Sequence, residues 1–123
     1  MRVRDATVED LPSVMNVLDG AVLATDVERV RASIARDGTL VAVTEDEQVV
    51  GALVLDGGRV DAVAVRRRRR GQGIGTALVE AAADRRERLT AEFDAAVRPF
   101  YESLGFTVES LAEPGRCRGV LSE

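Results

Sequence analysis

Val3 opens a short extended run, Val3 to Ala6, and the next apolar residues, Leu11, Val14, Met15 and Leu18, recur at helical spacing. Thr7 or Asp10 can cap that helix; Pro12, tolerated only near a helix start, favours the later cap. Val27, Val30 and Ile34 predict a second helix with these residues inward, Thr25 and Glu28 as its capping box and Gly38 as its stop. Leu40–Val43, Val49–Leu55 and Val60–Val65 then read as strands, joined by the Glu45-Asp46-Glu47 turn and the Asp56-Gly57-Gly58 hairpin. Helical spacing returns at Ile74, Ala77, Leu78, Ala81 and Ala82 and runs to about Arg88. Leu89, Ala91 and Phe93 alternate as a strand, a short helix from Pro99 to Leu104 stops at Gly105, and strands near Phe106–Val108 and Arg116–Leu121 complete the pattern. The expectation is one α/β domain over residues 1–123: a mixed, largely antiparallel sheet flanked by helices, with a crossover helix between two parallel strands.

Composition narrows the chemistry. A chain of 123 residues, 46% hydrophobic, can bury one core. No apolar run approaches the roughly 18 residues of a membrane span, and the first residues lack the apolar stretch of a signal peptide, so a cytoplasmic protein without membrane contact is expected. Cys117 is the single cysteine, which excludes an intrachain disulfide and a thiolate metal cluster and suits a packing role. Histidine is absent, so general acid–base work falls to carboxylates, Tyr, Ser/Thr or backbone, and no metal is expected. All 17 basic residues are arginine, and five of them are consecutive, Arg66 to Arg70. Setting those five aside turns the net charge of −4 into −9 for the rest of the chain, so a focused anion site sits on an acidic body. Aromatics make up only 3%, which leaves few stacking platforms and argues against nucleic acid.

The informative segment runs from Val65 through the arginines to Gly71-Gln72-Gly73-Ile74-Gly75-Thr76-Ala77-Leu78: a strand end, a glycine-rich turn and a helix start. Free N–H groups at a helix N-terminus favour anions, and glycines let backbone approach one closely. A phosphate or pyrophosphate is the expected ligand. A dinucleotide fingerprint needs two residues between its second and third glycines, whereas Ile74 alone separates Gly73 from Gly75; a P-loop needs Gly-Lys, and the chain has no lysine.

The segment resembles the acyl-CoA motif of the GNAT superfamily of N-acyltransferases, Arg/Gln-x-x-Gly-x-Gly/Ala, filled here by Arg70, Gly73 and Gly75. Phe100-Tyr101-Glu102-Ser103-Leu104-Gly105-Phe106 is similar to the family's Phe-Tyr-x-x-Leu-Gly-Phe signature, and element order fits from Val3 to Leu121. The resemblance implies a GNAT fold and transfer of an acetyl group from acetyl-CoA, as cosubstrate, to a small-molecule or peptide amine. It implies that backbone of Arg70, Gly71, Gln72, Gly73, Ile74 and Gly75, with Thr76 beside them, holds the pyrophosphate. Val65 would pair with the pantetheine, and the strands Val60–Val65 and Leu89–Phe93 would diverge to admit it. Tyr101 is the implied general acid, Asp61 the first candidate base and Glu28 a weaker one. By strand alternation Asp61 shares a side with Val63 and Val65. Where the family often has Asn, this chain has Asp94, which can instead cap the following helix. A homodimer is compatible with so short a chain. A non-catalytic acyl-CoA sensor and a nucleic-acid-associated protein using Arg66–Arg70 are the readings from other classes.

Overall fold

The computed structural model describes residues 1–20 and 26–122. Strand β1 (Arg2–Asp5) leads through a 3-10 turn, Val8–Asp10, into α1 (Leu11–Gly20), and α2 (Val27–Ala35) follows. The meander β2 (Thr39–Val43), β3 (Val49–Asp56) and β4 (Arg59–Val65) comes next, then α3 (Ile74–Ala83), β5 (Arg88–Asp94), α4 (Arg98–Ser103), β6 (Thr107–Ser110) and β7 (Arg116–Ser122). The sheet has seven strands in the order β1-β2-β3-β4-β5-β7-β6, antiparallel except for β4 beside β5. The mixed, mostly antiparallel α/β architecture expected from the residue pattern is the observed one, with α3 as the crossover.

Two apolar layers hold the helices. On one face Leu40, Leu53 and Leu55 pack with Ile74, Leu78 and Ala82 of α3 and with Leu89 and Phe93 of β5. On the other, Val41, Val43, Ala52 and Val54 meet Val14 and Leu18 of α1 and Val30 and Ile34 of α2. With both faces covered, β2 and β3 are continuous apolar runs rather than alternating ones. Helix α3 lies close to the sheet because Gly51 has no side chain: a Cβ there would come within 2.9 Å of the Ile74 Cγ2 atom.

Three local expectations differ from the structure, and a fourth falls outside the described residues. Thr7 rather than Asp10 begins the first turn; the Asp10 carboxylate instead accepts from the Thr7 amide at 2.8 Å and from Arg4. Thr25, the expected cap of α2, lies outside the described residues, and the Asp26 side chain accepts from the Glu28 amide. Val27 opens that helix at 40% exposure, since the face of α2 that reaches the sheet is Val30, Ser33 and Ile34. Helix α3 ends at Ala83, five residues before Arg88, because Arg88 pairs with Ser122 as the first residue of β5.

Candidate functional site

Parallel strands β4 and β5 pair at only two positions, Arg59 with Thr90 and Val60 with Ala91. Beyond them the strands part. From Ala62 to Val65, β4 stays paired with β3 alone, and from Glu92 to Asp94, β5 pairs only with β7. Since the Arg66 amide donates to Val50 on the β3 side, alternation turns the backbone of Val65 and Val63 toward the gap.

At the open end of that gap stands the glycine turn. Gly71 and Gly73 adopt φ of 80° and 79°, a left-handed conformation that favours glycine, and Gly73 is the N-terminal cap of α3. Nothing lies within 4 Å of a Cβ built on either residue, so backbone conformation and not crowding requires glycine there. The amides of residues 71–76 donate to no carbonyl among the described residues, leaving a row of unsatisfied N–H groups at the positive end of a helix. Gln72 lines a neighbouring cavity with Glu45 and Asp46, and the others border one of about 250 Å³ that Val65, Arg69, Arg70 and Phe100 also line. Arg70 bends back so that its Nε donates to the Val65 carbonyl at 3.2 Å. No carboxylate lines this cavity, and its donors suit an anionic group such as a phosphate. Gly75 serves packing: its Cα side meets Phe100, 3.4 Å from where a Cβ would stand.

Phe100 belongs to a cluster containing every aromatic ring of the chain. Tyr101 of α4 stacks on Phe93 of β5 at 4.0 Å between ring centroids, and its edge contacts with Phe100 and Phe106 are at 5.1 and 5.2 Å. Phe93 lies in the part of β5 that has left β4, so the rings form one flank of the gap. Tyr101 is 5% exposed, and its hydroxyl makes no hydrogen bond among the described residues without being a sealed, unpartnered polar atom. Burial pushes its pKa above the usual phenol value, so it remains a neutral O–H donor near neutral pH.

Asp61 stands where the strands part, but not on the side that alternation assigns. Val54 pairs with Ala62 and Leu55 with Val60, which makes Asp61 the extra residue of a β-bulge. Val60, Val63 and Val65 pack on the α3 layer, and Ala62 and Ala64 on the α1/α2 layer. The bulge breaks the period, and the Asp61 side chain turns to α2. There its two oxygens accept from Arg29 and Arg59, each at 2.7 Å, and it is 12% exposed. Glu28 lies on the outer part of α2, paired with Arg31 at 2.7 Å. The Asp94 carboxylate accepts from the Ala96 amide at 2.8 Å and caps the turn leading into α4. Cys117, opposite Phe93 on β7, is buried in the core.

The sequence singles out Arg69 only as part of the Arg66–Arg70 run and gives Phe100 no site role, yet both line the cavity; the aromatic pair Phe100-Tyr101 is the available signal for the second. Among the described residues no helix is long and apolar enough to cross a membrane.

The comparisons with known proteins agree with this fold. Among curated proteins none matches the chain. A GNAT-family acetyltransferase from Bacillus cereus superposes with a TM-score of 0.77 at 16% identity, over 97% of this chain and 93% of that one. Rv2747 from Mycobacterium tuberculosis, solved in complex with CoA and NLQ, gives 0.76 at 22% identity, over 100% and 99%. The ribosomal-protein-S18-alanine N-acetyltransferase of Escherichia coli gives 0.72 at 18%, over 97% and 90%. At these identities the likeness is one of fold. The sequence model of the acetyltransferase (GNAT) domain matches residues 36–108, from the end of α2 through the glycine turn to β6 and more than half of the chain, and this protein therefore belongs to the GNAT acetyltransferase family.

Proposed function

We propose that the protein binds acetyl-CoA at the glycine turn and transfers the acetyl group to an amine by direct attack in a ternary complex. The observation that carries this reading is the row of unsatisfied amides on residues 71–76, opening into a cavity continuous with the unpaired edge of β4. Amides of Gly71, Gln72, Gly73, Ile74, Gly75 and Thr76 receive the pyrophosphate, and the gap-facing amide of Val65 pairs with the pantetheine as an added strand, its carbonyl joining once Arg70 turns from it to the phosphates. Acetyl-CoA supplies the reactive thioester. The chain's part is orientation, which holds amine and carbonyl together and removes most of the entropic barrier.

Tyr101 gives its hydroxyl proton to the departing sulfur as the C–S bond breaks, while the new N–C bond forms and the amine proton leaves to solvent. A buried, neutral phenol suits that role. Asp61 was the first candidate base, but both its oxygens are engaged by guanidinium groups, so in this proposal it holds the bulge and water accepts the proton. An α-amine with a pKa of about 8 is already partly neutral near pH 7 and needs no dedicated base. Activity is then expected to rise with pH through the acceptor's own pKa.

Calorimetric titration with acetyl-CoA at low and high salt tests binding before turnover. Saturable binding, weaker at high salt, followed by turnover with an amine panel, is the expected result. Tyr101→Phe then lowers turnover about a hundredfold with unchanged acetyl-CoA affinity. Binding without turnover of any amine, indifferent to Tyr101→Phe, selects the sensor reading; no binding by a folded protein rejects the proposal.

A further inference from the structure

The arginine turn has a second side. Facing α1, away from the gap between β4 and β5, Arg66–Arg69 border a cavity of about 420 Å³ whose floor is Val17 and Val50. These floor residues are only 2% and 3% exposed, and the amides of Asn16 and Gln48 stand on the rim. Arg66 builds the wall: its Nε donates to the Val49 carbonyl at 2.8 Å and its guanidinium to Asn16 Oδ1 at 2.9 Å. That leaves the Asn16 amide nitrogen free to donate into the cavity.

The next three arginines are in a different condition. Arg67, Arg68 and Arg69 are exposed, and among the described residues their side chains enter no hydrogen bond and no ion pair. Among the described residues no carboxylate lines this cavity, whereas Glu45 and Asp46 share a neighbouring one with Arg69. Arg67 and Arg68, adjacent guanidinium groups without an ion-pair partner there, repel one another, and a bound anion relieves that repulsion. An apolar floor under a cationic rim suits a molecule with both characters.

We propose that this cavity is a second anion site, separate from the glycine turn, for a small molecule bearing a carboxylate or phosphate monoester on a short apolar body. The body would lie over the edges of Val17 and Val50 and along the aliphatic stems of the arginines, and the anion would meet Arg67 and Arg68. A nucleic-acid strand suits the place less well. All four aromatic rings lie on the α3 side of the sheet, so no ring lines this cavity to stack a base.

Benzoate and phenyl phosphate are suitable probes, since they share an apolar body and differ in the anion. Each is titrated into nitrogen-15-labelled protein while the side-chain amide signals of Asn16 and Gln48 and the backbone signals of Gly71–Thr76 are followed. Saturable shifts at Asn16 and Gln48 are expected, with the tighter probe identifying carboxylate or phosphate. Arg67→Gln/Arg68→Gln should weaken binding about tenfold or more with an unchanged thermal midpoint. Shifts confined to Gly71–Thr76, no saturation by either probe, or unchanged affinity in the folded double variant would each overturn the proposal. So would salt-sensitive capture of a single-stranded oligonucleotide, lost in that variant, without a response to either probe. Arg69 borders both cavities, but Arg67 and Arg68 do not line the one at the glycine turn, so failure here leaves acetyl-CoA binding untouched.

Discussion

Strand β4 has arginines at both ends, and the two sets stand in opposite surroundings. At its start, Arg59 joins Arg29 and Arg36 around Asp56 and Asp61, with N···O distances from 2.7 to 3.7 Å. At its far end, no carboxylate pairs with Arg66–Arg70 among the described residues. The same side chain thus does two jobs. The first set ties α2 to the β3–β4 hairpin across the bulge, where each half-exposed pair adds little but the shared carboxylates fix Asp61 in place. The second set keeps its positive charge for molecules that arrive from solvent.

The sharpest way to break this comparison is at the unpaired end, in the backbone. Gly73→Val puts a β-branched residue at a φ of 79°, and the amides that follow can keep their direction only at the cost of strain. Acetyl-CoA affinity should fall about a hundredfold while unfolding stays cooperative; wild-type affinity in a folded variant would remove the turn from the site. At the paired end, Asp61→Asn leaves Arg29 and Arg59 facing each other without their shared anion. A loss of about 1–2 kcal/mol in denaturant unfolding is expected, with the kcat/KM profile keeping its pH midpoint. Loss of the acidic limb of that profile would instead make Asp61 the base.

Smaller effects sharpen the contrast. Arg70→Gln removes a charge but keeps a donor, so acetyl-CoA affinity should drop about threefold and become less sensitive to salt. Acid should act through the carboxylate of a third pairing, Asp10 with Arg4. Hydrogen bonds from Arg4 hold the Asp10 carboxyl below the usual carboxylate range, against the opposing effect of burial. The folded chain therefore binds that proton less readily than the unfolded one. Its stabilisation is present above about pH 4 and is lost as pH falls through the lowered value. Asp10→Asn should flatten that part of the stability curve by about half a kcal/mol, and an unchanged curve would show the pair to be idle.

What could be read in advance follows from the range of the forces. Local patterns marked the strands, the Asp56-Gly57-Gly58 hairpin and the glycine turn, since turn residues and hydrophobic period act within a few positions. The bulge at Asp61 was hidden because it arises in the pairing of β4 with β3, and alternation along one strand cannot register an extra residue. Arg66 looked like one more surface charge in its run. Only the approach of α1, fifty positions earlier, makes it a clamp on Asn16. The end of α3 was misplaced for the same reason, as β7 claims Arg88 from a distant part of the chain.

The aromatic cluster has a practical consequence. The chain has no tryptophan and one tyrosine, stacked on Phe93 beside the gap between β4 and β5. Its intrinsic ultraviolet emission therefore comes almost entirely from that place. Tyr101 is a built-in optical reporter: ligand entry and loss of packing around α4 can both be watched in the native chain, without a label.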